Sequence, residues 1–89
     1  MSQFLHIGFN WSNPPNIAGL ETAFYQGIDW LRYSNNCWIV WTNSDANVWY
    51  ERVRPYMVQQ DSVFICRIDM RERQGYLPQW AWEWMNKPR

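Results

Sequence analysis

The chain has 89 residues, the size of one domain, and its 8 tryptophans help to bring the aromatic share to 19%. Its 8 basic and 8 acidic side chains cancel, so the composition lacks the basic excess of dedicated nucleic-acid binders. No apolar run approaches the roughly 18 residues that cross a bilayer, and no signal-peptide pattern opens the sequence. We therefore expect a single cytoplasmic domain over residues 1–89, with no membrane partner.

Two periodicities predict the first strand and the first helix. Apolar and polar or small residues alternate over residues 4–10, which indicates a strand. Apolar residues then recur at three- and four-residue spacing over residues 17–28, which indicates a helix with Asn16 as its cap. Between the two elements, Pro14 and Pro15 indicate a turn.

The rest of the chain predicts a hairpin, a second helix, a strand and a short helix. The hairpin strands cover residues 30–33 and Cys37–Thr42, and the asparagines between them suit a tight turn. A helix follows over residues 46–56, where Pro55 brings the regular helix to its end. The last two elements are a strand over Ser62–Ile68 and a helix over residues 79–86.

This order of elements predicts a ferredoxin-like βαββαβ sandwich of the α+β class, with an added short C-terminal helix. Right-handed connections place the first two helices on one sheet face. The opposite face, which carries Ile39 and Trp41, has no helical cover of its own in that fold. An exposed apolar patch marks an interface, so we expect Ile39 and Trp41 to lie in a homodimer contact. The alternative is that the C-terminal helix folds back over Trp41 and leaves a monomer.

Several segments together resemble the small SinR-like proteins, which belong with the CRISPR-associated second adaptation protein and the VapD toxins. The similar segments cover most of the chain beyond Asp29, and they are Cys37–Thr42, residues 52–57, residues 61–68 and residues 75–86. The resemblance implies a ferredoxin-like homodimer. It also implies an endonuclease ancestry, with RNA or DNA as a possible partner.

The resemblance also implies where a metal site would lie. In nucleases of this superfamily the first strand ends in an aromatic residue followed by Asp, and two such Asp residues meet across the dimer to hold a divalent metal. The matching pair here is Phe9 and Asn10. A neutral amide lacks the charge that holds a hard cation. We therefore expect no catalytic residue and no cofactor, with Mg²⁺ or Mn²⁺ required only if another carboxylate replaces Asn10.

Other reactive residues give no stronger chemical signal. His6 is the only histidine, which excludes a His pair for zinc, and we interpret it as a structural residue. Cys37 and Cys66 fall inside predicted strands, where a small buried side chain is the expected role. Five arginines near a helix end and a polar loop could instead line a groove for single-stranded nucleic acid. These nucleic-acid-binding candidates are Arg52, Arg54, Arg67, Arg71 and Arg73.

The sequence therefore favours a small non-catalytic homodimeric binding module. Two alternatives stay open: a metal-dependent endoribonuclease or toxin, and an antitoxin- or immunity-type protein that binds a protein partner through its tryptophan-rich surface.

Overall fold

In the computed structural model, which describes all residues from Met1 to Arg89, four strands form one antiparallel sheet in the order β2-β3-β1-β4. The strands are β1 (Gln3–Asn10), β2 (Asp29–Ser34), β3 (Cys37–Thr42) and β4 (Ser62–Ile68). The helices are α1 (Ile17–Phe24), α2 (Ala46–Val53) and α3 (Gln79–Met85), and a short 3₁₀ helix (Arg54–Tyr56) continues α2. The chain is thus an α+β protein. None of its helices has the length and apolar character needed to cross a membrane.

Local capping and pairing explain where the helices begin and end. The Asn16 side chain accepts a hydrogen bond from the backbone N–H of Gly19 at 3.0 Å and caps α1 as predicted. α1 ends four residues earlier than predicted, because the Ile28 N–H already donates to the Trp41 carbonyl at 2.9 Å. α2 gives way to a 3₁₀ turn at Arg54, next to Pro55, which cannot donate a hydrogen bond.

α1 and α2 pack against one face of the sheet and form the main core. Residues of β1 and β3 pack there against residues of both helices. The Phe24 and Trp38 rings stack, with their centroids 4.8 Å apart. The buried Trp49 indole donates to the Thr42 hydroxyl at 3.0 Å, so this polar pair is satisfied inside the core. The main core contains ten residues: Leu5, Ile7, Phe9, Leu20, Ala23, Phe24, Trp38, Val40, Trp49 and Val53.

α3 covers part of the second sheet face. Its residues Ala81, Trp84 and Met85 pack on Leu31 of β2 and Ile39 of β3 and form a smaller second core. The ferredoxin-like prediction left this face without helical cover, whereas in the structure α3 covers part of it. The chain itself covers the β2–β3 half and the Phe4–Ile68 end of the β1–β4 half, and the remainder of the β1–β4 half is left open.

Candidate functional site

The uncovered part of the second sheet face forms a patch that we call the open patch. Cross-strand pairing places His6 opposite Cys66, Gly8 opposite Phe64 and Asn10 opposite Ser62, and these six residues define the patch. Phe64 is 69% exposed, which is an unusual position for a large ring in the middle of a strand. A cavity of about 380 Å³ lies beside it, lined by residues of β1 and β4 only.

Gly8 shapes the floor of the open patch. A side chain at this position would lie 3.3 Å from His6 Cε1 and 3.9 Å from Cys37 Sγ, so a larger residue would meet both neighbours. A glycine inside a central strand often marks close approach by another backbone or a ligand. Because Gly8 has no side chain, it does not cover the Phe64 ring on the neighbouring strand.

His6 and Tyr33 form a polar contact at the border between the open patch and the part covered by α3. The His6 Nε2 and Tyr33 Oη atoms lie 2.6 Å apart. Burial lowers the pKa of His6, which favours the neutral imidazole at neutral pH. Burial also raises the pKa of Tyr33 to about 12, with the neighbouring Cys37 thiol adding to the effect. His6 therefore has a partner within the fold, as expected of a structural histidine.

Asn10 lies at the end of β1, exposed, on the open patch. The adjacent cavity is lined by His6, Gly8, Phe9, Asn10, Ser62, Val63 and Phe64, and it contains no carboxylate. Across the whole chain, no three side chains among His, Cys, Asp and Glu lie close enough to hold a metal ion together. Both cysteines are free thiols.

A second, larger cavity lies at the other end of β1, and we call it the arginine cavity. Its volume is about 930 Å³. It is lined by Met1, Ser2, Gln3, Phe4, Trp41, Arg67, Ile68, Asp69, Met70, Arg71 and Arg73. Three of the five predicted arginines are thus brought together, because β4 ends at Ile68 and the loop after it turns back beside the start of β1.

The three arginines of this cavity differ in how their charge is compensated. Arg71 is paired with Asp69, with its Nη2 atom 2.6 Å from the carboxylate, and this contact lowers the pKa of Asp69 to about 2. Arg73 donates to the Met70 carbonyl at 3.2 Å and to the Asn86 side chain, which are both neutral acceptors. The exposed Arg67 side chain has no hydrogen bond or ion pair within the chain, and its pairing with Leu5 places it on the sheet face that α1 and α2 cover.

The other two predicted arginines lie on the α2 side of the molecule, outside the arginine cavity. Arg52 extends over the Trp49 ring, with its guanidinium carbon 4.9 Å from the centroid. Arg54 forms a surface ion pair with Glu51 at 3.2 Å. The structure therefore separates the five arginines into two groups.

Ile39 and Trp41, the two residues predicted to lie in a dimer contact, differ in their exposure. Ile39 is only 5% exposed, because α3 of the same chain covers it. Trp41 is half-buried and packs on Phe4, with ring centroids 4.6 Å apart, and contributes to the arginine cavity. The C-terminal helix therefore folds back over this part of the sheet, which is the arrangement given above as the alternative to an Ile39–Trp41 contact.

Phe64 is the surface residue that sequence reasoning missed. The alternation of β4 places it on the same side as Cys66 and Ile68, but the sequence alone did not show which half of that face α3 covers. Comparisons with protein-family models, with curated proteins and with solved structures give no match for this chain.

Proposed function

We propose that this chain is a small non-catalytic binding module that works as a homodimer and is related to CRISPR-associated and VapD-type nucleases. The observation that carries the proposal is the open patch, where Phe64 stands 69% exposed on an uncovered sheet face. The two free cysteines agree with a cytoplasmic location, where thiols stay reduced, and we include that location in the proposal.

The strand order supports a ferredoxin-like fold as part of this proposal. β1 and β2 are joined through α1 with β3 between them in the sheet, and β3 and β4 are joined through α2 with β1 between them. Two interleaved units of this kind, with both helices on one face, are what the split βαβ arrangement requires. α3 is then an addition that occupies half of the opposite face.

The exposed aromatic ring favours a second copy as the occupant of the open patch. Complete burial of one phenylalanine side chain contributes about 1.5–3 kcal/mol, and a two-fold contact would bury this ring in both copies. The patch carries no charged residue, since His6 is neutral and Asn10 and Ser62 are uncharged. Two identical patches can therefore face each other without repulsion between like charges.

The same geometry supports a binding role without catalysis. In a dimer through the open patch, Asn10 of each copy would come near the two-fold axis, where the resemblance expects the metal-binding acids. Amide oxygens supply no net charge to hold Mg²⁺ or Mn²⁺. The cavity residues around Asn10 supply none either.

Light scattering of purified protein tests the dimer directly. We expect the wild type to have about twice the chain mass of 10.9 kDa and the Phe64→Lys variant to have the mass of one chain. Tyr76→Lys is the matched control, because Tyr76 is a fully exposed aromatic residue outside the patch, and this variant should stay dimeric. A monomeric wild type, or a dimeric Phe64→Lys variant, would contradict the proposal.

An assay with labelled single-stranded RNA and duplex DNA tests the absence of catalysis. We expect no cleavage with Mg²⁺, with Mn²⁺ or with a chelator. Cleavage that requires metal would favour the metal-dependent endoribonuclease or toxin. A dimer that neither cleaves nor binds nucleic acid would favour the antitoxin- or immunity-type role, with a protein as partner.

A further inference from the structure

β4 forms one edge of the sheet, and its outer side is unpaired. The strand pairs only with β1, in an unbroken register that runs from the Phe4 and Ile68 pair to the Asn10 and Ser62 pair. Apart from this ladder, the β4 backbone makes no hydrogen bond within the chain. Free N–H and C=O groups along an edge strand form a template on which another strand can pair.

The hydrogen bonds of β1 show which backbone groups of β4 point outward. The Phe9 N–H donates to the Asn36 carbonyl at 2.8 Å, and the Phe9 carbonyl accepts from the Asn36 side chain at 2.9 Å, so this backbone points toward β3. Backbone groups alternate in direction along a strand, so Gly8 points toward β4 and its partner Phe64 points back toward β1. In β4, the residues whose N–H and C=O groups point outward are therefore Val63, Ile65 and Arg67.

The two edge strands of the sheet differ in how they are protected against pairing. β2 carries Asp29 and Arg32, and its register with β3 shifts between Arg32 and Ser34, and both features discourage the addition of another strand. β4 has seven residues without proline or glycine, its register has no shift, and its single charge is that of Arg67. None of its residues is buried, although most of them are apolar. The fold thus leaves an apolar edge strand unpaired and unprotected.

Arg67 indicates what kind of strand fits this edge. Its exposed side chain has no acidic partner, and β4 contains no acid. The nearby Asp61 carboxylate already accepts from the Ser12 N–H and hydroxyl, both at 2.7 Å, and from the Val58 N–H at 3.0 Å. A second copy that paired its own β4 here would have no free carboxylate to place opposite Arg67. Opposite charges directly across neighbouring strands stabilise the pair, so a strand of a different protein with an acidic side chain fits better.

We propose that the outer edge of β4 binds an extended segment of another protein, which joins the sheet as a fifth antiparallel strand. The outward N–H and C=O groups of Val63, Ile65 and Arg67 bond to the backbone of this segment. The segment places an acidic side chain opposite Arg67. It places apolar side chains opposite Val63 and Ile65, which are half-buried against the main core. Such strand addition is a general mode of peptide recognition, in which the backbone gives affinity and alternate side chains give specificity.

This inference goes beyond the proposed dimer and does not depend on it. The dimer contact uses the second sheet face, where Phe64 lies. Strand addition uses the outward backbone groups of β4 and side chains on the face that α1 and α2 cover. Peptide binding and mass by light scattering can therefore succeed or fail independently of each other.

Two synthetic peptides test the proposal on the full chain. The Glu peptide, acetyl-Thr-Glu-Thr-Val-Thr-Val-Thr-amide, can pair antiparallel with its glutamate opposite Arg67 and its valines opposite Ile65 and Val63. The Lys peptide has lysine in place of the glutamate. In a titration followed by amide chemical shifts, we expect the Glu peptide to bind about fivefold or more tightly than the Lys peptide, because attraction to Arg67 replaces repulsion.

Amide hydrogen exchange identifies strand addition as the mode of binding. The bound Glu peptide should slow exchange at the outward amides of Val63, Ile65 and Arg67. Exchange at Phe64 and Cys66 should change little, because their N–H groups already point toward β1. Two methylated peptides add a matched control. Methylation of the first valine nitrogen, which faces β4, should abolish binding, and methylation of the next threonine nitrogen, which faces away, should retain it.

A charge reversal locates the acidic position of the segment. Arg67→Glu should make the Lys peptide the tighter ligand, and the fold should be retained because Arg67 is exposed and has no partner within the chain. Arg54→Glu reverses the charge of another exposed arginine, outside β4, and should keep the preference for the Glu peptide.

Several results would overturn the proposal. One is failure of both peptides to bind at millimolar concentration, and another is equal binding of the Glu and Lys peptides to the wild type. A third is equal binding of the two methylated peptides. The outward amides could also be protected without peptide, to a degree that rises with protein concentration. That result would show that a second copy occupies the edge instead.

Discussion

Arg89 and Trp84 form a cation–π contact in which the guanidinium carbon lies 4.3 Å from the centroid of the indole ring. The same guanidinium lies over the Phe4 ring at 5.4 Å and the Trp41 ring at 5.8 Å. It also donates to the Asp29 carboxylate at 3.3 Å, and its side chain is only 11% exposed. Arg89 thereby fastens the chain beyond α3 to the start of β1 and to the edge strand β2.

Replacing Arg89 with Met should destabilise the protein by about 1–3 kcal/mol, because a charged hydrogen bond and a partly desolvated cation–π contact are lost together. Methionine retains an unbranched apolar stem, so packing should be largely kept. Urea denaturation would measure the change. Lys87→Met is the control: Lys87 lies 3.6 Å from Asp29 but is 57% exposed, so its loss should cost less than about 0.5 kcal/mol. Equal effects of the two variants would contradict the role given to Arg89.

The same contact predicts a dependence of stability on acid pH. Burial opposes ionisation of Asp29, but the Trp84 indole, the Trp30 backbone N–H, Arg89 and Lys87 outweigh it, so its pKa lies below the ordinary value of 3.8. The Trp84 N–H makes no hydrogen bond of regular geometry, whereas the Trp30 N–H and the Arg89 guanidinium donate to this carboxylate at 2.9 and 3.3 Å. A lowered carboxyl pKa adds stability above pH 3.8, and this stability is lost as pH falls through the folded-state pKa.

We therefore expect the stability difference between wild type and Arg89→Met to be constant above about pH 5 and to shrink below pH 3.8. Urea denaturation at a series of pH values would measure it. Asp61 and Asp69 also have lowered pKa values, but neither bonds to Arg89, so they should affect both proteins equally. A difference that stays unchanged down to pH 2 would show that Asp29 does not act through Arg89.

Tyr33→Phe should remove the contact with His6 and cost about 1 kcal/mol, as for one typical hydrogen bond. Because burial is what lowers the His6 pKa, His6 should still titrate below 6.5 in this variant. The lowered pKa means that neutral His6 adds stability above pH 6.5, which is lost as pH falls through the folded-state pKa. Imidazole proton resonances would give the pKa. Tyr76→Phe, at a fully exposed site, should change neither quantity. A His6 pKa at or above 6.5 would be the contrary result.

Gly19→Ala should destabilise the protein, although alanine is the better helix former by about 1 kcal/mol. The added Cβ would lie 2.5 Å from Tyr56 Cδ1 and 2.7 Å from the capping side chain of Asn16. Such overpacking costs about 1–3 kcal/mol, so a net loss is expected in thermal or urea denaturation. Ala18→Gly, at the exposed neighbouring position, should also destabilise. If helix propensity alone determined the free energy of unfolding, Gly19→Ala would stabilise the protein and Ala18→Gly would destabilise it.

Local patterns in the sequence predicted the elements of the fold well. The alternation around Leu5 and Ile7 and the capping side chain of Asn16 act over a few residues, so they can be identified without tertiary information. The end of α1 could not be predicted in this way, because it is set by the bond from Ile28 to the distant Trp41.

The placement of α3 and of the arginines depends on long-range packing. Trp80 and Trp84 are four residues apart, yet Trp84 is buried in the second core and Trp80 is 52% exposed outside it. The four-residue spacing of these tryptophans does not show which part of the sheet face α3 covers. Arg67 and Arg73 both line the cavity at the end of β4, while Arg52 lies on α2 over the Trp49 ring. No local pattern distinguishes these two groups.

Asn10→Asp should create a divalent-metal site if the proposed ancestry and dimer are right. Asn10 is exposed at the end of β1, so a single chain can accommodate a carboxylate there. In the dimer, two such carboxylates would approach each other, and a metal ion would relieve their repulsion. Calorimetry with Mn²⁺ should show one ion bound per two chains of the variant and none bound by the wild type.

The control for this experiment is Asn47→Asp, which adds the same charge at an exposed position of α2, away from the open patch. It should bind no metal. Without metal, Asn10→Asp should also form a weaker dimer than the wild type, since two like charges then meet at the axis, and Mn²⁺ should restore the dimer mass in light scattering. A variant that stays dimeric but binds no Mn²⁺ would show that the two Asn10 positions do not meet. That result would count against placing the chain with the CRISPR-associated and VapD-type nucleases.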